Sequence, residues 1–217
     1  MTDFPAAAAF GKRISLAQLR KRGLPPRFAA LVKSLAWAFK LAPDTILLPA
    51  TESVREIEVM DLALRRKGEA PRALAALVAA LDRLIPSPLV FRLFSEDGDA
   101  LGFALNLKPS GGALRGDSDL FRLFRTDAAD VPLPQGCASL ETLLLRFAAA
   151  VAGMAPRSGE GLRGLDERHY RLEALRAELA EAERKLARED HLDRKYALAK
   201  ETQRIGKEIR QCLNSNT

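Results

Sequence analysis

The stretch from Ser53 to Lys67 constrains the fold most. It reads S-V-R-E-I-E-V-M-D-L-A-L-R-R-K. Apolar Val54, Ile57, Val59, Leu62 and Leu64 are set among polar Arg55, Glu56, Glu58, Asp61 and Arg65. From Glu56 to Met60 the alternation is close to period two, the mark of a half-buried strand. Gly68-Glu69-Ala70-Pro71 then turns the chain into P-R-A-L-A-A-L-V-A-A-L-D-R-L-I over residues 71–85. That segment is a nearly all-apolar helix, with Pro71 suited to its first turn and Pro86 to its stop. Burying Leu74, Leu77, Val78, Leu81 and Leu84 supplies about 1.5–3 kcal/mol each before chain entropy is counted. A strand, a tight turn and a helix laid back on the sheet make one folding unit. No catalytic motif sits on it.

The flanking segments extend this unit. Ser15 caps a short helix ending near Gly23, and Pro25-Pro26 opens a second with Phe28, Leu31, Val32, Leu35 and Ala36 on its apolar face. Trp37–Leu41 and Thr45–Leu48 read as two short strands around the Ala42-Pro43-Asp44 turn. Pro88–Phe94 and Leu101–Leu107 read as strands joined by Glu96-Asp97-Gly98-Asp99, a hairpin signal. A further strand is expected at Leu120–Phe124, after the Ser110-Gly111-Gly112-Ala113 loop. A helix capped by Ser139 then runs to about Gly153. The expectation is an α+β domain over residues 1–155 with a mixed, mostly antiparallel sheet of five to six strands and packed helices.

Beyond a Gly-rich linker at 155–164 the character changes. From Leu165 to Leu213 there is no proline and one glycine, Gly206. Leu172, Leu175, Leu179, Ala182 and Leu186 follow a three-four spacing, a coiled-coil stripe. Glu189 and Asp193 interrupt it, and Leu198, Thr202, Ile205, Ile209 and Cys212 resume it in a shifted frame. Two arrangements satisfy this pattern for an appendage at 163–214. One is a single helix that changes its buried face. The other is a hairpin turning at Arg188–Asp193. The acids of 165–193 and the bases of 194–210 can pair with each other if the segments run antiparallel.

Charge separates the function classes only partly. The net charge is +6 over 217 residues. Between Phe4 and Pro43 eight basic residues stand without one acid: Lys12, Arg13, Arg20, Lys21, Arg22, Arg27, Lys33 and Lys40. Such a block is either a surface for an anionic partner or a solvated face balanced elsewhere. The candidate nucleic-acid contacts are Lys12, Arg13, Arg20, Lys21, Arg22, Arg27 and Lys33, with Arg194, Lys195 and Arg204 from the appendage. Candidate partner contacts are Leu172, Leu175, Leu179, Leu186, Leu198, Ile205 and Ile209.

Chemistry-bearing motifs are few. Gly159, Gly161 and Gly164 spell G-x-G-x-x-G, but no strand precedes them, so linker is the better account than a phosphate fingerprint. Cys137 and Cys212, and His169 and His191, have no zinc or catalytic spacing, and each histidine reads as a solvated helix residue. Glu56, Glu58 and Asp61 raise a metal-dependent nuclease reading. No E-x-K-type element follows Glu58, so an exposed or ion-paired strand face is preferred. No catalytic residue, metal or cofactor is assigned. No apolar run reaches the roughly 18–20 residues of a membrane span. The first ten residues do not read as a secretion signal, and a cytoplasmic protein is expected.

Several pieces taken in order carry a resemblance. They are Lys12-Arg13-Ile14, Trp37 to Ile46, Glu56 to Met60, Leu84-Ile85-Pro86 and Arg184 to Glu201, within which Arg194, Lys195 and Leu198 are the most distinctive. The order resembles the bacterial domain-of-unknown-function family number 4391 over nearly the whole chain. That family tends to carry Asn where Ala199 stands here. The resemblance implies a companion of helicase and DNA methyltransferase genes in restriction-like phage-defence loci, with no catalytic residues to carry over. The expected function is therefore a non-enzymatic accessory subunit docking on a helicase or methyltransferase, with DNA near the basic block. The alternatives are a stand-alone, sequence-independent nucleic-acid-binding protein and an unrecognised metal-dependent nuclease. A homodimer through residues 165–190 is also open.

Overall fold

The computed structural model describes residues 3–65, 71–108 and 123–214. The chain divides into two compact units, residues 1–152 and 153–217.

The first unit is an α+β domain. Its strands are β1 (Ala9–Ile14), β2 (Val32–Leu41), β3 (Ile57–Leu64), β4 (Leu89–Phe94), β5 (Ala100–Leu105) and β6 (Phe124–Thr126). Among the described residues they form one six-stranded sheet in sequence order. Every pairing is antiparallel except β3 with β4, which run parallel from Glu58↔Leu89 to Ala63↔Phe94. A parallel pair needs a crossover, and α4 (Pro71–Leu84) supplies it. The turn expected at Gly68–Pro71 and the loop at Ser110–Ala113 lie outside the described residues, Pro71 apart.

The core follows from the period of β3. Met60, Leu62 and Leu64 share one face with Leu35 of β2 and with Phe91 and Leu93 of the neighbouring chain segments. Leu74, Leu77, Val78 and Leu81 of α4 cover this layer, together with Leu19 of α1 (Leu16–Lys21) and Phe28 of α2 (Pro26–Leu31). On the other face α5 (Leu140–Val151) brings Phe147 edge-on to Phe103, with centroids 5.6 Å apart. Arg92 and Asp61 lie on that face, joined by hydrogen bonds of 2.6 and 2.8 Å, with the guanidinium 4.9 Å over Phe39. Ser15 and Ser139 cap α1 and α5, accepting from the Gln18 and Thr142 amides.

Two local expectations give way, one strand is added and one is shifted. The helix begun by Pro26 stops at Leu31, because Val32 and Leu35 are claimed by a ten-residue strand that reaches Leu41. Residues 43–46 are helical (α3, Pro43–Ile46), not a strand. Pro43 starts that turn, and Thr45 Oγ1 accepts from the Ala42 amide at 2.9 Å while donating to the Lys40 carbonyl at 2.8 Å. β1 was not anticipated at all. It is an exposed edge strand with an irregular register around Gly11 (φ +66°), so it has no apolar alternation to betray it. The strand expected at Leu120–Phe124 is β6 at Phe124–Thr126, with residues 120–122 outside the described set.

The second unit contains α6 (Leu162–Arg188) and α7 (Leu192–Leu213), which pack on each other. The chain turns at Glu189–His191, so the hairpin is the arrangement adopted. Arg168 donates to the Cys212 carbonyl at 2.7 Å, and Arg171 to Glu208 at 2.7 Å, which sets α6 and α7 antiparallel. Leu172, Leu175 and Ile205 are buried, and Leu179, Leu186, Leu198 and Ile209 are half-buried. His169 is buried, not solvated. Three acids of α6 are engaged along their own helix, with Glu167 held by Arg163, Glu173 by Arg176 and Glu181 by Arg184. The cross-helix pair Arg171–Glu208 has the opposite polarity to the one the charge blocks suggested. Among the described residues no helix is long and apolar enough to cross a membrane.

Candidate functional site

The first unit carries a cleft of about 390 Å³. Its floor is the sheet, at Trp37 of β2 and Glu58 and Met60 of β3. Lys12 and Arg13 of β1 line one side, and Gln18 and Arg22 of α1 another. The segment leaving α4, Ile85 to Ser87, closes the third. The antiparallel register of β1 with β2 sets Lys12 opposite Trp37, which is what brings the basic edge strand over the aromatic floor.

Two carboxylates enter the cleft with opposite states. Glu56 lies just before β3. Lys40 Nζ is 2.7 Å from its Oε2, and Ser87 Oγ donates to its Oε1 at 2.8 Å. The hydrogen bond from Lys40 is the main reason Glu56 stays below the usual carboxylate range, and the same contact raises Lys40. Glu58 shares the parity of Met60, Leu62 and Leu64, so the sheet drives it inward, and it is 2% exposed. Burial, then the charge of Glu56, pushes its pKa up to about 8. Its Oε2 is buried and has no hydrogen-bond partner among the described residues. Leaving such an atom unsatisfied costs about 1–3 kcal/mol. Glu56 is thus ion-paired with Lys40, and burial favours the uncharged form of Glu58. The cations of the rim are therefore not offset by the acids of the floor.

Behind the wall lies a buried polar cluster. Lys108 Nζ is 3.0 Å from Asp82 Oδ1 and donates to the Asp82 and Ile85 carbonyls, while Asn106 donates to Asp82 Oδ2 at 3.0 Å. The ammonium thus sits on the last carbonyls of α4, where the helix dipole favours a cation. It fixes the backbone of Ile85, whose residue lines the cleft.

Of the residues singled out from sequence, the cleft gathers Lys12, Arg13 and Arg22. Arg20 and Lys21 are exposed on the last turn of α1. Arg27 stacks 4.9 Å over Phe28. Lys33 is at the far end of β2, donating to the Glu96 carbonyl at 2.6 Å. Arg194, Lys195 and Arg204 belong to α7 of the second unit, where Arg204 pairs with Glu208. The three carboxylates of the nuclease reading are not brought together, since Asp61 is on the opposite face of the sheet. Among the described residues no three His, Cys, Asp or Glu side chains gather as metal ligands do. Sequence reasoning missed Trp37 and Lys40 as site residues, and it weighed Glu58 only as a nuclease ligand, preferring an exposed or ion-paired face where the structure buries it. One signal that could have found it is that Glu58 shares the parity of Met60, Leu62 and Leu64, which the structure buries.

The fold and cleft define an α+β domain with a basic-rimmed, aromatic-floored pocket at one end of its sheet, joined to a helical hairpin. The chain belongs to the family described as a domain of unknown function (DUF4391), whose model matches residues 3–209. No curated protein matches it, and no solved structure does.

Proposed function

We propose that this protein is a non-enzymatic accessory subunit that holds nucleic acid at its cleft. It would serve a restriction-like phage-defence assembly in the cytoplasm, docking on a helicase or DNA methyltransferase. One observation carries the reading. Lys12, Arg13 and Arg22 of the acid-free block converge on a single cleft whose two glutamates offer them little opposing charge, Glu56 being ion-paired with Lys40 and Glu58 buried so that its neutral form is favoured. A net positive, partly apolar groove attracts a phosphate backbone. The family resemblance supports the defence context. Docking is supported by the hairpin, where Leu192 and Tyr196 stand 82% and 74% exposed on the first turns of α7.

The test is binding of labelled single- and double-stranded DNA at about 50 and 200 mM salt, the range in which phosphate contacts are read. Affinity is expected to fall steeply with salt, and the K12A/R13A/R22A variant to show a slope shallower by about 2–3 units. An unchanged slope would overturn the assignment of the cleft. For docking, L192S/Y196S is expected to lose binding to the purified helicase or methyltransferase partner while keeping DNA binding.

A further inference from the structure

We propose that the cleft seats one nucleotide unit of a strand, with its base against Trp37, its phosphate among Lys12, Arg13 and Arg22, and a hydrogen-bonding atom of the base edge on Glu58 Oε2. The proposal rests on the reading of the rim as a phosphate-binding surface and adds what the floor does.

Phosphate contacts alone need no floor. Here the floor has the parts of a base-binding surface. Trp37 is the aromatic residue of the floor, and beside the cleft Phe10 lies against it with centroids 4.3 Å apart and the rings tilted by 36°; Phe10 is 48% exposed although it is a large apolar side chain. Aromatic faces take bases of any sequence. Met60, Ile85 and Pro86 add apolar surface to the floor and wall, beside the polar Gln18 and Ser87. At this surface Glu58 meets Glu56 and Trp37, while its Oε2 is buried and has no hydrogen-bond partner among the described residues. A protonated carboxylic acid is both donor and acceptor, which suits the paired donor and acceptor edges of nucleobases. It also adds no negative charge beside a phosphate. The volume, about 390 Å³, lies within the range of small-ligand pockets and suits one nucleotide rather than a duplex.

The chain has one tryptophan, so the floor reports on itself. The experiment is intrinsic fluorescence of the intact protein, titrated with a nucleoside monophosphate, inorganic phosphate and a short single-stranded oligonucleotide at pH 7 and 9. The nucleoside monophosphate and the oligonucleotide are expected to quench Trp37, and phosphate alone is not. Affinity for the nucleotide is expected to fall about ten-fold between pH 7 and 9, the worth of one charge-affected contact. The other charged groups facing Glu58 are Lys12 and Arg13 from β1, Arg22 from α1, Lys40 from β2 and Glu56 before β3. Lysine and arginine side chains titrate above this range and a phosphate monoester below it. Glu58→Gln, which keeps a donor and an acceptor there at any pH, is expected to bind equally at both.

Quenching by inorganic phosphate as strong as by the nucleotide would overturn the base-seat proposal, and so would a pH response unchanged in Glu58→Gln. Salt-sensitive DNA binding with no change at Trp37 would overturn it while leaving the basic-surface reading intact. Quenching by the nucleotide with no DNA binding would support the seat and overturn the strand reading beneath it.

Discussion

The Lys108 ammonium and the Asp82 carboxylate lie 3.0 Å apart with each side chain 2% exposed. Burial pushes the Asp82 carboxyl up and the Lys108 amine down, and their mutual attraction opposes both shifts. A buried pair of this kind is worth little against an apolar replacement, yet breaking it strands a charge. Lys108→Met is expected to destabilise the fold by about 3–5 kcal/mol in urea unfolding, and K108M/D82N to recover most of that. A cost under about 1 kcal/mol for the single variant would contradict the placement.

Glu58 gives a pH dependence with a definite sign. Its folded pKa, about 8, exceeds the ordinary 4.5, so the native state binds this proton more tightly than the unfolded chain does. Its destabilising contribution is absent below about pH 4.5, grows as pH rises toward 8 and then levels off. Each unit is worth about 1.4 kcal/mol, so the full effect is at most about 5 kcal/mol. Glu58→Gln should be more stable than the parent at pH 9 and about equal at pH 4, by urea titration. Glu56 works in the other direction: its depressed pKa contributes stability above the ordinary carboxylate range, lost as the solution is acidified through its folded value.

Gly102 is fixed by backbone geometry. Its φ is +121°, and a Cβ there would stand 2.0 Å from the Thr126 carbonyl oxygen. Neither atom belongs to a flexible side chain, so the β5–β6 pairing at Phe103↔Thr126 must shift. Gly102→Ala is expected to cost more than the roughly 1 kcal/mol of an ordinary glycine replacement at positive φ. A thermal unfolding midpoint equal to the parent's would refute this.

Arg168 ties the hairpin together. Its guanidinium gives Glu160 two hydrogen bonds of 2.7 and 2.6 Å and also reaches the Cys212 and Ala155 carbonyls. Arg168→Met removes all of them and leaves Glu160, 9% exposed at its side chain, without its cation. Faster amide exchange at the end of α7 around Gln211–Leu213 is the expected outcome, by mass spectrometry of the intact protein, with a loss of about 3–5 kcal/mol.

What the sequence determined by itself was local and periodic. The alternation of 54–64 made β3, the apolar run of 71–85 made α4, Ser15 and Ser139 made caps, and Glu96–Asp99 made a hairpin, because those signals act within a few residues. Tertiary structure decided the rest. Residues 32–36 suit a helix face as well as a strand, and only pairing with β3 made them strand. β1 has no pattern of its own and exists because β2 offers an edge. The stripe at 172–212 fits one helix or two, and the contact of α6 with α7 selected two. The cleft is the clearest case. Lys12, Trp37, Glu58 and Ser87 come from four separate stretches, and the pKa of Glu58 is raised by burial and by the charge of Glu56, which is itself paired with Lys40. Alternation put Glu58 on the polar face of a half-buried strand, whereas β3 is covered on both faces and Glu58 is buried, because desolvation and charge at a distance are properties of the assembled sheet.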